Sequence, residues 1–307
     1  MTAMGGTGKL LLVGDNPFLG ISHLSQERAR VRGMDVTKSA EAGELVATAL
    51  SNGANGFLFS VSQPTLAILD AWRRIENERP MALYAIAPYA YEYVRAAVRL
   101  GGLPGLVMDV GSKVLRSRNP RAIVEGMRGI VQNDPSRLLK AYMSYESARV
   151  RAAVGTRGEF VSLLIHELVT DMALGLGMDW LFRAHVDFCT SMGLKPGFNT
   201  SNLPHLVRRF REWEIELNGC VIAAPFNAEG FQMSPSREEC EQALAELDGV
   251  EVIGFSILAA GHLDYFDAIE YVTKLSNLSG VAVGVSKVEH ARSTFRHLRE
   301  SYEAATV

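Results

Sequence analysis

Short apolar runs recur along the whole chain, each followed by a longer amphipathic stretch, and no other feature narrows the choice of fold as far. The runs are Leu10–Gly14, Gly56–Ser60, Met81–Ala87, Leu106–Val110, Phe160–Ile165, Leu194–Phe198, Cys220–Pro225, Val250–Leu258 and Val281–Val285. They are nearly continuous rather than alternating in polarity, the pattern of parallel strands buried on both faces. The stretches between them read as helices. In Ala40–Leu50, for example, Ala40, Leu45, Val46, Ala49 and Leu50 share one side, with Glu41 and Glu44 turned away. Capping chemistry marks other helix starts: Asn119 before Pro120, Ser236 three before Glu239, and Ser286 three before Glu289. Repeated strand and helix units without a break in composition predict one α/β domain over residues 1–307. About eight such units close into a (β/α)8 TIM barrel. Nine runs are one too many, so one strand is expected outside the barrel, with Leu106–Val110 and the first run as the candidates; a doubly wound open sheet is the alternative. Within 112–158, two helices around Asn133-Asp134-Pro135-Ser136 form an excursion long enough for a lid.

Composition excludes several classes. With 48% hydrophobic residues and 31 basic against 34 acidic side chains, the chain matches a globular protein and lacks the basic excess of a dedicated nucleic-acid binder. Cys189, Cys220 and Cys240 are odd in number and far apart, which leaves neither a disulfide framework nor a CxxC motif. The opening Met1–Lys9 lacks the basic and apolar pattern of a secretory signal, and no window approaches the roughly 18 apolar residues of a membrane span. The expectation is a cytoplasmic protein with a small-molecule substrate and no nucleic-acid or membrane partner, for which a homo-oligomer is an open option. Gly5-Gly6-Thr7-Gly8-Lys9 has the look of a phosphate loop but precedes a strand instead of following one, and is set aside.

From Phe160 onward the order of motifs resembles that of the aldo-keto reductases. Leu163-Leu164-Ile165-His166 resembles the strand that ends in that family's active-site histidine, and Asn199-Thr200-Ser201-Asn202 resembles its Gly-Val-Ser-Asn turn. Phe255-Ser256-Ile257-Leu258 with Gly261-His262-Leu263 resembles its Tyr-Ser-Pro-Leu run and following Gly-x-Leu, and Gly284-Val285-Ser286 with Glu289-His290 resembles its last strand and helix start. The resemblance implies a barrel and an active-site role for His166. It does not extend to the rest of the family's catalytic set: Leu58 stands where an Asp is expected, Ser62-Gln63-Pro64 offers no Tyr, and Ile86-Ala87-Pro88 offers no Lys. Without that Tyr and Lys pair, the family's proton donor for carbonyl reduction is missing.

A barrel of this kind places its active site at the C-terminal ends of the strands. Residues just beyond the runs are unusually polar: Asp15, Asn16 and His23, then Ser60, Ser62, Tyr89, Asp109, His166, Glu167, Asn199, Asn227, His262 and Lys287. His166, Glu167, Asp15 and Asp109 are the catalytic candidates, His166 as a proton shuttle near neutral pH. Asn16, His23, Asn199, Asn227, His262 and Lys287 are the candidates for holding substrate. His166 and Glu167 are adjacent and would face opposite ways on a strand, unless the strand ends at Ile165 and the turn aims both inward. Asp15, His23, Asp109, His166, Glu167 and His262 are ligand types for zinc, manganese or iron, but no HxH or HExxH spacing joins them. Three readings follow. The first is a lyase or isomerase using His and carboxylate acid–base chemistry and needing no cofactor. The second is a divergent NAD(P)H oxidoreductase with Phe255 stacked on nicotinamide, and the third is a catalytically silent binding subunit.

Overall fold

The computed structural model describes residues 8–19, 38–75, 80–89, 98–101, 103–116, 119–132 and 134–305. Eight strands pair in sequence order, all parallel, and β1 closes on β8. They are β1 (Leu10–Gly14), β2 (Gly56–Ser60), β3 (Met81–Ala87), β4 (Gly158–Ile165), β5 (Lys195–Asn199), β6 (Val221–Pro225), β7 (Glu251–Phe255) and β8 (Gly280–Gly284). Eleven described α-helices accompany them: α1 (Ser39–Ser51), α2 (Gln63–Trp72), α3 (Leu103–Arg116), α4 (Pro120–Gln132), α5 (Pro135–Val154), α6 (Glu167–Gly175), α7 (Asp179–Ser191), α8 (Leu203–Glu212), α9 (Arg237–Ala245), α10 (Tyr265–Lys274) and α11 (Val288–Ala305). The architecture is a (β/α)8 TIM barrel.

The continuous apolar runs hide a period of two. Leu12, Leu58, Ala82, Tyr84, Ile86, Leu164, Ala223, Ile253 and Ala282 point into the barrel and form one core cluster. Leu11, Val13, Phe57, Phe59, Leu83 and Ala85 point outward into a second cluster beneath the helices. Both faces are buried, so both are apolar and the alternation vanishes from the sequence.

The ninth run, Leu106–Val110, is not a strand. It is the middle of α3. Leu103, Leu106, Val107, Val110 and Val114 recur at helical spacing over a window longer than the run itself. A five-residue apolar run does not distinguish strand from helix, and the longer period decides. The excursion then resolves into two parts. α5, capped by Asp134, whose carboxylate accepts from Ser136 N at 2.9 Å and Arg137 N at 3.3 Å, packs against α2 and α7 in the outer ring. α3 and α4 stack on α5. Among the described residues none of these three helices contributes to the barrel mouth.

The capping predicted at Asn119 and Ser236 is present, with Ala122 N donating to Asn119 at 3.3 Å and Glu239 N to Ser236 at 3.2 Å. The last helix starts one residue later than the expected box at Ser286, because Ala291 N donates to the Lys287 carbonyl at 2.9 Å and makes Lys287 the cap residue. The three cysteines are buried and free. No described helix is long and apolar enough to cross a membrane.

Candidate active site

At the C-terminal ends of the strands the barrel opens into a cavity of about 390 Å³. Leu58, Ile86 and Ala282, which also belong to the inner cluster, line it from below. Around them stand Asp15 and Asn16 after β1, Ser60 at the end of β2, Tyr89 after β3, His166 and Glu167 after β4, and Asn199 at the end of β5. Gln232, Phe255 and Ser256 complete the polar and aromatic part of the wall.

Asp15 follows the last residue of β1, and its carbonyl accepts from Phe18 N and Leu19 N at 2.9 and 3.2 Å, which turns the chain over the mouth. The turn is seated by a close approach: a Cβ on Gly284, at the end of β8, would lie 2.6 Å from the Pro17 ring. The Asp15 side chain is buried, and Oδ2 accepts from the Ser60 backbone N–H at 2.6 Å. Desolvation outweighs the bonds from Ser60 and pushes the carboxyl up from 3.8 to about 7.

β4 ends at Ile165, so the opposite-face constraint of a strand does not reach the next two residues, and both line the cavity. His166 is the N-cap of α6, and its Nδ1 accepts from Leu168 N at 3.2 Å. That bond places the proton of the neutral ring on Nε2. Burial lowers the imidazole to about 4, so at neutral pH His166 is an uncharged hydrogen-bond donor.

Glu167 accepts from the Ser201 hydroxyl, and Asp171, one helical turn on, accepts from the Thr200 hydroxyl and from Ser201 N at 3.0 Å. Burial raises the Asp171 carboxyl above its ordinary range. These bonds tie the start of α6 to the turn after β5. Asn199, 8% exposed, ends that strand with a buried Oδ1 that has no hydrogen-bond partner among the described residues.

Several expected site residues lie elsewhere. Asp109 sits on α3, paired with Lys113 at 2.7 Å, because the run that carries it is helical. The Asn227 amide is fully buried and occupied by its own loop, donating to the Phe231 carbonyl at 2.9 Å and accepting from Phe231 N at 2.8 Å. His262 and Lys287 are exposed and line no part of the cavity. His23 lies outside the described residues. Two contributors escaped the sequence reading. Gln232 comes from the long connection after β6, in a left-handed conformation (φ 62°), and accepts from the Ser256 hydroxyl at 3.0 Å; no local signal marks it. Asp171 had a signal, its spacing of four from Glu167 on one helix face.

No group of three or more His, Cys, Asp or Glu among the described residues could hold a metal ion. The resemblance to aldo-keto reductases raises the question of a nicotinamide dinucleotide. Phe255 offers a ring at the mouth, but the polar groups of the described wall are carboxyls, an imidazole held neutral, amides and hydroxyls, without a Lys or Arg to meet phosphates. The described wall does not fit a dinucleotide.

No protein-family model matches the chain, and no curated protein matches it in sequence. Its fold is that of solved aldo-keto reductase structures. A putative aldo-keto reductase from Pseudomona aeruginosa aligns with 100% of this chain and 95% of its own, at 14% identity and a TM-score of 0.53. A second structure carrying that description, from the same organism, aligns over the same shares at 16% identity and a TM-score of 0.54. The likeness is one of fold: the chain shares the eight-stranded barrel of these two structures. Where the resemblance expects that family's Asp, Leu58 lines the cavity, and Ser62 beyond it is a buried cap of α2, accepting from Thr65 N at 3.4 Å.

Proposed function

We propose that this barrel is an enzyme that abstracts a proton from carbon beside a carbonyl in a small polar metabolite, an isomerase or lyase by class. The observation behind it is that one cavity holds two groups whose ionisation is driven in opposite directions: Asp15, raised to about 7, and His166, lowered to about 4. Such a divergence separates base from acid partner. Asp15, half ionised near neutral pH, takes the proton. The C–H electron pair becomes the carbon–carbon double bond of an enolate, and the charge on its oxygen is met by the His166 Nε2–H. Return of the proton from Asp15 to carbon completes the cycle. His166 is thus an oxyanion donor rather than a shuttle, because shuttling would need an imidazolium that burial disfavours. The test is deuterium incorporation from D2O into small carbonyl compounds, followed by NMR. Exchange that disappears in Asp15→Asn supports the reading; exchange undiminished in that variant overturns it.

The alternative, a nicotinamide-dependent oxidoreductase, has only the Phe255 ring at the mouth in its favour and finds no Lys or Arg in the described wall for the phosphates. Quenching of NADPH fluorescence by the protein would restore it over the first.

A further inference from the structure

Proton abstraction leaves charge on the substrate oxygen, and a side chain with no other partner stands where that charge would form. We infer that the amide nitrogen of Asn199 is a catalytic hydrogen-bond donor to this oxygen, beside His166; this rests on the acid–base reading above. The placement follows from strand register. β4 and β5 pair with Ile165 opposite Phe198, and both of these residues face outward into the cluster beneath the helices. The residues that follow them face inward: Asn199 ends β5, and His166 keeps an extended backbone (φ −63°, ψ 141°) past the end of β4. Neighbouring strands lie about 4.8 Å apart, so the two side chains enter the cavity next to each other.

Asn199 is 8% exposed, and its side-chain amide has no partner among the described residues. Its Oδ1 is sealed in the wall, so the surface that the amide keeps at the cavity belongs to the Nδ2 end. The reverse setting would seal off two N–H donors in place of one acceptor, and orphaned buried donors are the rarer case. A second donor lies in the same wall. Of the first four N–H groups of α6, Leu168 N is taken by the His166 ring at 3.2 Å, and Val169 N and Thr170 N by the His166 carbonyl at 2.9 Å; Glu167 N has no partner among the described residues. An N–H at a helix start favours negative charge. In the reaction the C–H pair forms the carbon–carbon double bond and the carbonyl π pair moves onto oxygen. There Asn199 donates a hydrogen bond and gives up no proton. Asp15 holds the abstracted proton at that moment and is uncharged, and the Glu167 carboxylate is engaged by the Ser201 hydroxyl.

The experiment follows deuterium incorporation into hydroxyacetone by NMR in the wild type, Asn199→Leu and Asn199→Asp, with melts by circular dichroism. Leu keeps the volume without the donor, and an ionised Asp keeps the acceptors without an N–H. In both variants kcat should fall about 10²- to 10³-fold, the usual share of one oxyanion donor, with KM little changed. The melting temperature of Asn199→Leu should stay at or above that of the wild type, because no hydrogen bond within the protein is lost. The second readout is the infrared carbonyl stretch of carbon-13-labelled hydroxyacetone bound to Asp15→Asn, where turnover is blocked. It should lie at lower frequency there than in the double variant that also carries Asn199→Leu. A kcat within about twofold of wild type in both variants, a loss confined to KM, or a rate loss matched by a fall in melting temperature overturns the inference. So does a carbonyl signal that is absent or indifferent to Asn199. The two readings fail separately. Exchange that Asp15→Asn abolishes and Asn199→Leu leaves intact overturns only the donor; an Asn199-dependent stretch without Asp15-dependent exchange overturns only the proton abstraction.

Discussion

At the N-terminal ends of the strands, most polar groups find partners within the chain, with the buried Glu251 Oε1 as an exception. Asn55 donates to the Lys9 carbonyl at 2.8 Å and accepts from Leu11 N at 2.9 Å, Lys195 pairs with Glu251 at 2.7 Å, and Lys9 reaches the Leu278 carbonyl at 2.6 Å. The Tyr84 hydroxyl, deep in the barrel, lies near Glu251 and is driven well above the ordinary tyrosine range by burial and that charge. At the C-terminal ends the same strands carry Asp15 against its own ionisation, His166 in its uncharged form and Asn199 with an unmet acceptor. One end of the barrel is largely closed by its own pairings and the other gathers its polar groups around a cavity, the division between stability and catalysis expected of this fold.

The sharpest way to break the comparison is Asp15→Asn. It should lower carbonyl-directed exchange by about 10²- to 10⁴-fold, the usual share of a general base, while raising stability at alkaline pH. A carboxyl whose folded value is raised stabilises fully below its unfolded value of 3.8 and loses that contribution as pH rises through about 7. The variant's advantage over wild type should therefore grow between those limits toward an upper bound on the order of 4 kcal/mol, read by denaturant melts at several pH values. In the wild type, exchange should rise to a plateau with its midpoint at about pH 7.

Next in size is Gly284→Ala. Its new Cβ would meet Pro17 at 2.6 Å, and overpacking of this kind costs about 1–3 kcal/mol. Because Pro17 carries the Asp15 turn, exchange should fall with stability. Asn55→Ala, at the closed end, should cost about 2 kcal/mol through two lost hydrogen bonds and leave the rate per folded molecule unchanged. A loss of exchange there would mean the two ends are coupled. The smallest effect is expected from Ser60→Ala, since the Ser60 hydroxyl helps hold the Asp15 carboxyl down. Its removal should move the midpoint of the rate profile upward by a fraction of a pH unit.

The comparison also separates what could be read early from what could not. β1, β2 and β3 appear in the sequence with their observed bounds, because burial on both faces leaves an uninterrupted apolar run between turns. Leu106–Val110 has the same local composition, and only the wider spacing of Leu103 and Val114 reveals a helix. Asp15, His166, Glu167 and Asn199 were recognisable because each directly follows or ends a strand. The silence of Asn227 was not, since its partner Phe231 can be matched to it only once the loop is folded.

What the sequence by itself determined is the order of strands and helices and the end of the barrel where chemistry belongs, both consequences of local periodicity and chain direction. Tertiary structure alone decided the protonation of Asp15 and His166 and the unpartnered, buried oxygen of Asn199. Those depend on desolvation and on partners brought from far along the chain, as Ser60 is brought to Asp15 across 45 positions; local residue order carries no record of either.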